Sequence, residues 1–224
     1  KIKYQSYNLN CKEDDLVKLY QAVKEIDPYR PAFINHTRWS KGGKPYPYGS
    51  INSSDIGSID HYPIWYGFYK GSKNRSLKNI VNLVRAMNKD CKTRGKPCHY
   101  FNQLFFCGYR EPTPEEVKCI DCVNFIYGTR LFNYFRYKPM SITLWNSMKP
   151  LGEQLKKLCE IVSENTSQEI AVGDLEETIH YSLWKTKDGY LLILANLSYN
   201  SCDISLDLSP AIGDRSLKCH SLFK

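Results

Sequence analysis

The feature that most limits the fold of this chain is a regular alternation of short apolar runs with amphipathic helical stretches. Each predicted helix has apolar residues at helical spacing, and a short apolar run precedes each helix after the first. The predicted helices are residues 14–26, 77–88, 114–127 and 144–163. The predicted strands are residues 31–35, 56–62, 97–106 and 129–137. Because strands that alternate with helices form parallel sheets, the pattern predicts an α/β fold.

Local signals place two helix boundaries. Asp27 and Pro28 end the first helix, because a proline disfavours helical geometry in the residue before it. Thr113 opens the third helix as a cap, with Glu116 three residues further on. These signals depend only on neighbours in the sequence.

The pattern changes after Asn165. Residues 179–184 and 190–197 flank Lys187-Asp188-Gly189, which is a hairpin signal, and residues 204–208 and 217–223 are interpreted as further strands. We therefore predict two domains: an α/β domain over residues 1–164 and a small antiparallel β domain, interpreted as incomplete, over residues 165–224.

Charge, hydropathy and motifs exclude several classes of function. The net charge of +8 is spread along the chain, and its densest run, residues 70–78, has no nucleic-acid motif, so we expect no nucleic-acid partner. No apolar run is long enough to span a membrane, and no secretory leader opens the chain. A nucleotide-binding doubly wound sheet is disfavoured, because no glycine-rich phosphate loop follows a predicted strand. Histidines without metal-ligand spacing add to the expectation that the protein has no cofactor.

Cysteines and glycosylation sequons favour an oxidising secretory route. The chain has nine cysteines without a four-ligand zinc pattern. Sequons of the form Asn-x-Ser/Thr occur at Asn35, Asn52, Asn74, Asn165 and Asn196. Together they predict a secreted, extracellular glycoprotein with disulfide bonds, in which an odd cysteine is free or bound to another chain.

Several cysteine pairings remain open. Cys91 and Cys98 flank a short loop, and Cys202 and Cys219 are a second possible pair. Cys119 and Cys122 form a Cys-x-x-Cys motif inside a predicted helix, which favours structural disulfides to different partners over a redox site. Cys98 and His99 do not form a nucleophile pair, because adjacent strand residues point to opposite faces.

Four motifs in this order carry a resemblance to a known family. They are Leu-Tyr-Gln-Ala-Val-Lys-Glu-Ile-Asp-Pro-Tyr-Arg-Pro at residues 19–31, Asp-Ile-Gly-Ser-Ile-Asp-His-Tyr-Pro at 55–63, Lys-Pro-Cys-His-Tyr-Phe-Asn-Gln at 96–103 and Arg-Glu-Pro-Thr-Pro-Glu-Glu at 110–116. Residues 16–137, about half of the chain, resemble retaining glycoside hydrolases of the large (β/α)8-barrel superfamily. The later antiparallel part resembles the β-sandwich that often follows such barrels.

The resemblance implies the second half of a TIM-like barrel, from the fifth strand–helix unit to the eighth. Half a barrel has two open sheet edges and cannot close by itself. The expected partner is therefore a second polypeptide that carries the N-terminal half of the barrel. The resemblance also implies a glycan ligand.

Catalysis in this superfamily needs two carboxyl groups at the ends of the fourth and seventh strands. At the seventh strand end this chain has Gln103, and residues 1–10 offer no acid for the fourth. Asp60 and Glu111 form the best remaining acid pair. The alternative role of Asp60, as a strand-end residue, is to bind backbone amides in its loop. The alternative role of Glu111 is an ion pair with Arg110.

Other residues expected at the barrel mouth suit sugar binding. They are Asn35, His61, Tyr62, Asn102, Gln103, Arg136 and Trp145. Trp145 is interpreted either as a stacking platform for a sugar or as a core residue, and Asn35 cannot line a pocket if it is glycosylated. The favoured hypothesis is a secreted, catalytically inactive relative that binds glycan or has a structural role. The alternatives are an active retaining glycoside hydrolase, with part of its site supplied by the missing half, and a subunit of an extracellular assembly.

Overall fold

A computed structural model of the chain describes residues 13–36, 51–66, 77, 79–106, 110–136, 139–213 and 221. The fold is α/β, with a four-stranded parallel sheet that alternates with helices and a separate three-stranded antiparallel sheet. In chain order the elements are α1 (Glu13–Ile26), β1 (Asn35–His36), a 3-10 turn (Ile51–Ser53), β2 (Gly57–Asp60), α2 (Pro63–Tyr66), α3 (Asn79–Thr93), β3 (Cys98–Gln103), α4 (Pro114–Ile126), β4 (Leu131–Phe135), α5 (Ile142–Ser163), β5 (Gln168–Glu176), β6 (Ile179–Thr186), β7 (Gly189–Asn196) and α6 (Ser209–Ile212). The strand orders are β1-β2-β3-β4 and β5-β6-β7.

The chain divides into two compact units, each assembled from three segments. The first unit contains Lys1–His61, Ile80–Phe101 and Gly128–Asn133. The second unit contains Tyr62–Asn79, Asn102–Tyr127 and Tyr134–Lys224. The sequence-based division at residues 164 and 165 remains a prediction.

In the first unit, α3 covers one face of the parallel sheet. Gly57 on β2 faces the side chains of Met87 and Cys91, and the Cys98 thiol on β3 lies 4.0 Å from the Met87 carbonyl oxygen. The core that forms on this face is fully buried and consists of Ile59, Ile80, Val84, Met87 and Tyr100. Because side chains alternate along a strand, Ser58 and His99 point to the opposite face.

Two side chains of α1 bind Asp55, which precedes β2. The Tyr20 hydroxyl donates to Asp55 Oδ1 at 2.6 Å, and Lys24 pairs with Asp55 Oδ2 at 3.2 Å. The helix ends at Ile26, as Asp27 and Pro28 predict. A stripe of apolar residues at helical spacing, Leu19, Val23 and Ile26, remains exposed, with Ile26 87% exposed.

Gly57 on β2 allows α3 to pack closely against the strand because it has no side chain. A β carbon at this position would lie 2.2 Å from Cys91 Sγ and 3.4 Å from Ile51 Cδ1. We therefore expect Gly57→Ala to lower the free energy of unfolding by about 1–3 kcal/mol, the usual cost of overpacking a core. Urea denaturation in reducing buffer measures the change.

Two further variants make the Gly57 test specific. Adding Cys91→Ala to Gly57→Ala should restore part of the lost stability, because it removes the sulfur atom that the new methyl group meets. Gly152→Ala, in α5 with no atom within 4 Å of the added carbon, should instead stabilise by about 0.5–1 kcal/mol. Equal effects of the two glycine substitutions would contradict this packing account.

The second unit consists of α4 and α5 packed on the antiparallel sheet. Thr113 caps α4 in a capping box with Glu116, as predicted. The strands β6 and β7 form the predicted hairpin, in which Thr186 pairs with Gly189. Ile193 and Ala195 of β7 are buried, whereas Leu192 and Leu194 on its other face are exposed.

Two predicted strands differ from the structure. Residues 31–34 do not join the sheet, because the Ala32 and Ile34 N–H groups donate to Asp55 Oδ2 and Ser54 Oγ, so only Asn35–His36 pairs. Residues 204–208 form no strand, and Asp207 accepts instead from the Ser209 N–H, just before α6. The predicted strand at 217–223 lies outside the described residues except for position 221, and β5 was not predicted.

Candidate functional site

A row of polar side chains crosses the sheet of the first unit on the face opposite α3. Asn35, Ser58 and His99 are register partners on β1, β2 and β3. Asn133 on β4 hydrogen-bonds to the His99 ring. Residues in register on neighbouring strands share a side of the sheet, which holds for Asn35, Ser58 and His99, and the hydrogen bond places Asn133 beside them. These four side chains are here called the polar row.

Internal hydrogen bonds fix the orientation of the polar row. Ser58 Oγ donates to Asn35 Oδ1 at 2.9 Å and lies 3.1 Å from His99 Nδ1. A serine hydroxyl has one proton, so Ser58 can donate to one of these two partners at a time.

His99 is neutral at physiological pH. It is 5% exposed, and this burial lowers the pKa of the imidazole below its ordinary value of 6.5, although the hydrogen bond with Asn133 acts in the opposite direction. The polar row therefore presents uncharged donors and acceptors.

Apolar side chains flank the polar row on the same face. The ring centroids of Phe33 and Phe101 lie 5.3 Å and 4.4 Å from that of His99. Phe33 and Leu131 are each 41% exposed. Two-residue spacing along β3 and β4 places Phe101 and Leu131 beside the row, and the ring contact with His99 places Phe33 there. The surface is here called the open face and consists of Phe33, Asn35, Ser58, Asp60, His99, Phe101, Leu131 and Asn133.

Asp60 adds a carboxylate at the end of β2. It pairs in register with Phe101 and lies two residues beyond Ser58, which places it on the open face, half-buried. The next residue, His61, is half-buried, and its carbonyl oxygen accepts a hydrogen bond from the Tyr100 hydroxyl. Among the described residues of the open face, Asp60 is the one carboxylate, and none is Lys or Arg.

The open face is suited to a neutral, polar ligand with some apolar surface. Its hydrogen-bonding groups are uncharged except for Asp60, and aromatic rings lie next to them. In the described part of the chain, no three His, Cys, Asp or Glu side chains are grouped as metal ligands would be. Nor is any helix there long and apolar enough to cross a lipid bilayer.

Asn102 and Gln103 belong to the second unit, and both are fully buried. Asn102 Nδ2 donates to Asp121 Oδ1 at 2.9 Å and to the Val117 carbonyl at 3.2 Å, and its Oδ1 accepts from the Gln103 N–H. Gln103 Nε2 donates to the Phe105 carbonyl, and its Oε1 is buried without a hydrogen-bond partner. The amide of Asn102 thus holds β3 to α4.

Glu111 binds the backbone at the start of α5. Its two carboxylate oxygens accept from the Met140 and Ser141 N–H groups at 2.6 Å and 2.8 Å. The alternative ion pair with Arg110 is wrong, because both terminal nitrogens of Arg110 bind Glu116, and only the Glu111 carbonyl accepts from Arg110. The partners of the Glu111 carboxylate are therefore the two N–H groups at the start of α5.

Glu111 also lines a groove of about 610 Å³ in the second unit. Its lining residues are Phe106, Arg110, Glu111, Pro112, Thr113, Pro114, Met140, Ser141 and Thr143.

Trp145 does not line this groove and is 38% exposed on α5, so it is not a core residue. Tyr62 is half-buried, with its ring 4.9 Å from that of Phe105, and Arg136 is exposed just after β4.

The sequon asparagines differ in accessibility. Asn52 and Asn165 are exposed. Asn35 is half-buried in the polar row, and both ends of the Asn196 amide are bound within its own turn, by the Asn200 carbonyl and the Ser198 N–H. Asn74 lies outside the described residues.

The six described cysteines are thiols: Cys91, Cys98, Cys119, Cys122, Cys159 and Cys202. The disulfides expected from the cysteine count are therefore not present in this part of the chain, and Cys219 lies outside it. Burial raises the pKa of Cys119 to about 12 and that of Cys122 to about 11, which disfavours the reactive thiolate of a redox motif.

Three members of the polar row, Ser58, His99 and Asn133, were not among the predicted site residues. The sequence alone does not single them out, because each is one of several polar residues in its predicted strand and the four occupy different positions along those strands.

Comparison of the chain with protein-family models, with curated proteins and with solved structures found no match.

Proposed function

We propose that the open face binds a carbohydrate, and that the chain is a secreted, glycosidase-like protein that acts by binding rather than by catalysis. The polar row carries this proposal. Sugar hydroxyl groups need uncharged donors and acceptors held in fixed positions, which the half-buried Asn35 and the exposed Asn133 supply, while the buried Ser58 and His99 hold them in place. The C–H faces of a sugar ring pack on aromatic rings, which Phe33 and Phe101 supply.

We also propose that the parallel sheet is the second half of a (β/α)8 barrel, and that a second polypeptide carrying the first half pairs with its edge strands β1 and β4. Parallel sheets are covered on both faces in nearly all proteins, and among the described residues α3 is the helix that covers one face of this sheet. On the other face Ser58 and His99 are buried, whereas Phe33 and Leu131 are exposed, and α1 exposes its apolar stripe. The antiparallel sheet would likewise be part of a β-sandwich that covers Leu192 and Leu194.

The carboxylates support binding without catalysis. A retaining glycosidase needs two carboxyl groups about 5 Å apart, one as acid and one as nucleophile. Asp60 is the single carboxylate among the described residues of the open face. Glu111 already accepts two backbone hydrogen bonds, and Gln103 is an amide that cannot act as a nucleophile.

An active retaining glycoside hydrolase is the second candidate function. Asp60 favours it, because this carboxylate ends a strand on the open face, and a second polypeptide would then have to supply the other carboxyl group. Hydrolysis of a labelled oligosaccharide that is lost in Asp60→Asn would establish this alternative over binding alone.

The proposal is tested by calorimetric titration of the unreduced protein from secreting cells with oligosaccharides of cellulose, chitin and mannan. We expect one of them to bind, and Phe33→Ala and Asn133→Ala each to weaken binding about tenfold, which corresponds to about 1.4 kcal/mol per lost contact. Tyr29→Ala is the matched control, because Tyr29 is highly exposed and lies outside the open face. No binding, or equal binding by all variants, would contradict the proposal.

The glycosylation pattern gives a second test of secretion. We expect N-linked glycans at the exposed Asn52 and Asn165 and none at Asn35, whose Oδ1 accepts from Ser58 in the polar row. Peptide mapping after enzymatic deglycosylation in ¹⁸O-labelled water identifies the occupied sites. A glycan on Asn35 would remove that residue from the proposed binding surface.

A further inference from the structure

Cys91 and Cys98 bring two thiols together where α3 is connected to β3. Cys91 lies in the last turn of α3, Cys98 begins β3, and both are buried. Cys91 Sγ faces Gly57 on β2, and Cys98 Sγ lies 4.0 Å from the Met87 carbonyl oxygen and hydrogen-bonds to Cys91. The two sulfur atoms therefore share one small pocket between a helix and two strands.

The other described cysteines have different surroundings. Cys119 donates to the Asn196 carbonyl at 3.1 Å, Cys159 lies on α5, and Cys202 is exposed after β7. Within the described residues, the hydrogen bond between Cys91 and Cys98 joins cysteines on two successive elements, separated by one short loop.

We propose that Cys91 and Cys98 form a disulfide that ties the end of α3 to the start of β3 when the chain folds in the presence of a small-molecule disulfide such as oxidised glutathione. Of the pairings that the sequence leaves open, this one has its two thiols already facing each other.

The reaction is a thiol–disulfide exchange in two steps. The Cys91 thiolate attacks one glutathione sulfur, which forms a mixed disulfide and releases one glutathione thiolate. Cys98 then loses its proton and attacks the Cys91 sulfur, which forms the Cys91–Cys98 bond and releases the second glutathione. The protein loses two electrons and two protons, and one oxidised glutathione becomes two reduced ones.

In the folded unit the hydrogen bond between the thiols lowers the pKa of Cys91 and, together with burial, raises that of Cys98. These shifts belong to the packed state, so they do not decide which thiol attacks first, and the two steps with the thiols exchanged give the same product. Since both thiols are buried in the folded unit, the exchange takes place before the last turn of α3 has packed. Closing this short loop should raise the folding equilibrium constant roughly 50-fold by the chain-entropy relation.

The test is to refold the reduced chain in a glutathione redox buffer, block free thiols with iodoacetamide, digest with trypsin and map linked peptides by mass spectrometry. Cleavage after Lys92 and Arg94 separates a peptide of residues 90–92 from one of residues 95–110, which contains both Cys98 and Cys107. Fragmentation of the linked species in the wild type assigns the second cysteine, and Cys107→Ser checks it independently.

We expect residues 90–92 to be linked to residues 95–110 through Cys98, and the link to persist in Cys107→Ser. Recovery of Cys91 as a blocked thiol, or linked to Cys107 or to another cysteine, would overturn the proposal. The experiment supplies its own oxidant and uses no glycan. Its outcome is therefore independent of whether the protein is secreted or binds carbohydrate.

Discussion

Replacing Glu116 with alanine is expected to lower the free energy of unfolding by about 3 kcal/mol. The buried carboxylate accepts from both terminal nitrogens of Arg110, each at 2.6 Å, from the Thr113 N–H at 2.8 Å and from the Tyr199 hydroxyl at 2.7 Å. The substitution removes the ion pair and half of the α4 capping box together. The cost lies at the low end for a broken buried pair, because Arg110 is 38% exposed and can be rehydrated.

Urea denaturation of Glu116→Ala is compared with that of Glu115→Ala, because Glu115 lies in the same helical turn but is exposed. The difference isolates the contribution of the buried Glu116 carboxylate to the free energy of unfolding. Glu115→Ala should change stability by less than about 0.5 kcal/mol. Burial raises the pKa of Glu116, but the bonds from Arg110, Thr113 and Tyr199 outweigh it and hold the pKa below its usual 4.5. The Glu116 contribution is therefore present above pH 4.5 and is lost as pH falls through the lowered pKa. Equal costs at both positions would contradict this account.

Replacing Asp121 with asparagine is expected to remove a pH dependence of stability on the order of 4 kcal/mol, at about 1.4 kcal/mol per pKa unit. Complete burial raises the pKa of this carboxyl group from 3.8 to about 7, although hydrogen bonds from Asn102 and Tyr134 act in the opposite direction. In this range the folded chain holds a proton that the unfolded chain has released. The stability contributed by Asp121 is therefore present below pH 3.8 and is lost as pH rises to about 7.

Asparagine reproduces the protonated acid in this position. Its oxygen can accept from Asn102 Nδ2, and its amide can donate to the Tyr134 oxygen once that hydroxyl proton turns away. Denaturation of the wild type and Asp121→Asn from about pH 4 to about pH 8 gives the stability difference at each pH. The variant should gain relative to the wild type as pH rises, whereas Asp188→Asn, in the exposed hairpin, should not. A difference that stays constant with pH would contradict the expected titration of Asp121.

Signals between near neighbours in the sequence predicted the structure well. Thr113 and Glu116 predicted the start of α4 because a capping box involves only four consecutive residues. Asp27 and Pro28 likewise predicted the end of α1. The strand–helix alternation was sufficient to predict a parallel sheet, since successive parallel strands need a crossover between them.

Distant partners decided the features that were not predicted. Whether residues 31–34 pair as a strand depends on Asp55 and Ser54, which lie 23 and 20 residues from the N–H groups that they bind. The strand β5 contains Gly173 and Asp174, which disfavour strands, and pairing with β6 overrides this preference. For the site, strand ends were predicted to carry the function, whereas the polar row crosses the strands within the sheet and becomes visible only through their register.

The half-barrel proposal requires that further strand–helix units pair with the edge strands β1 and β4 in the complete protein. Native mass spectrometry of the unreduced, deglycosylated protein from secreting cells is the most direct test. We expect a particle heavier than the 26.0 kDa of this chain by about half a barrel, roughly 100 residues or more. The added mass would come from a bound second polypeptide or from a longer chain. A single species of 26.0 kDa would mean that no such units pair with β1 and β4, and would contradict the half-barrel proposal.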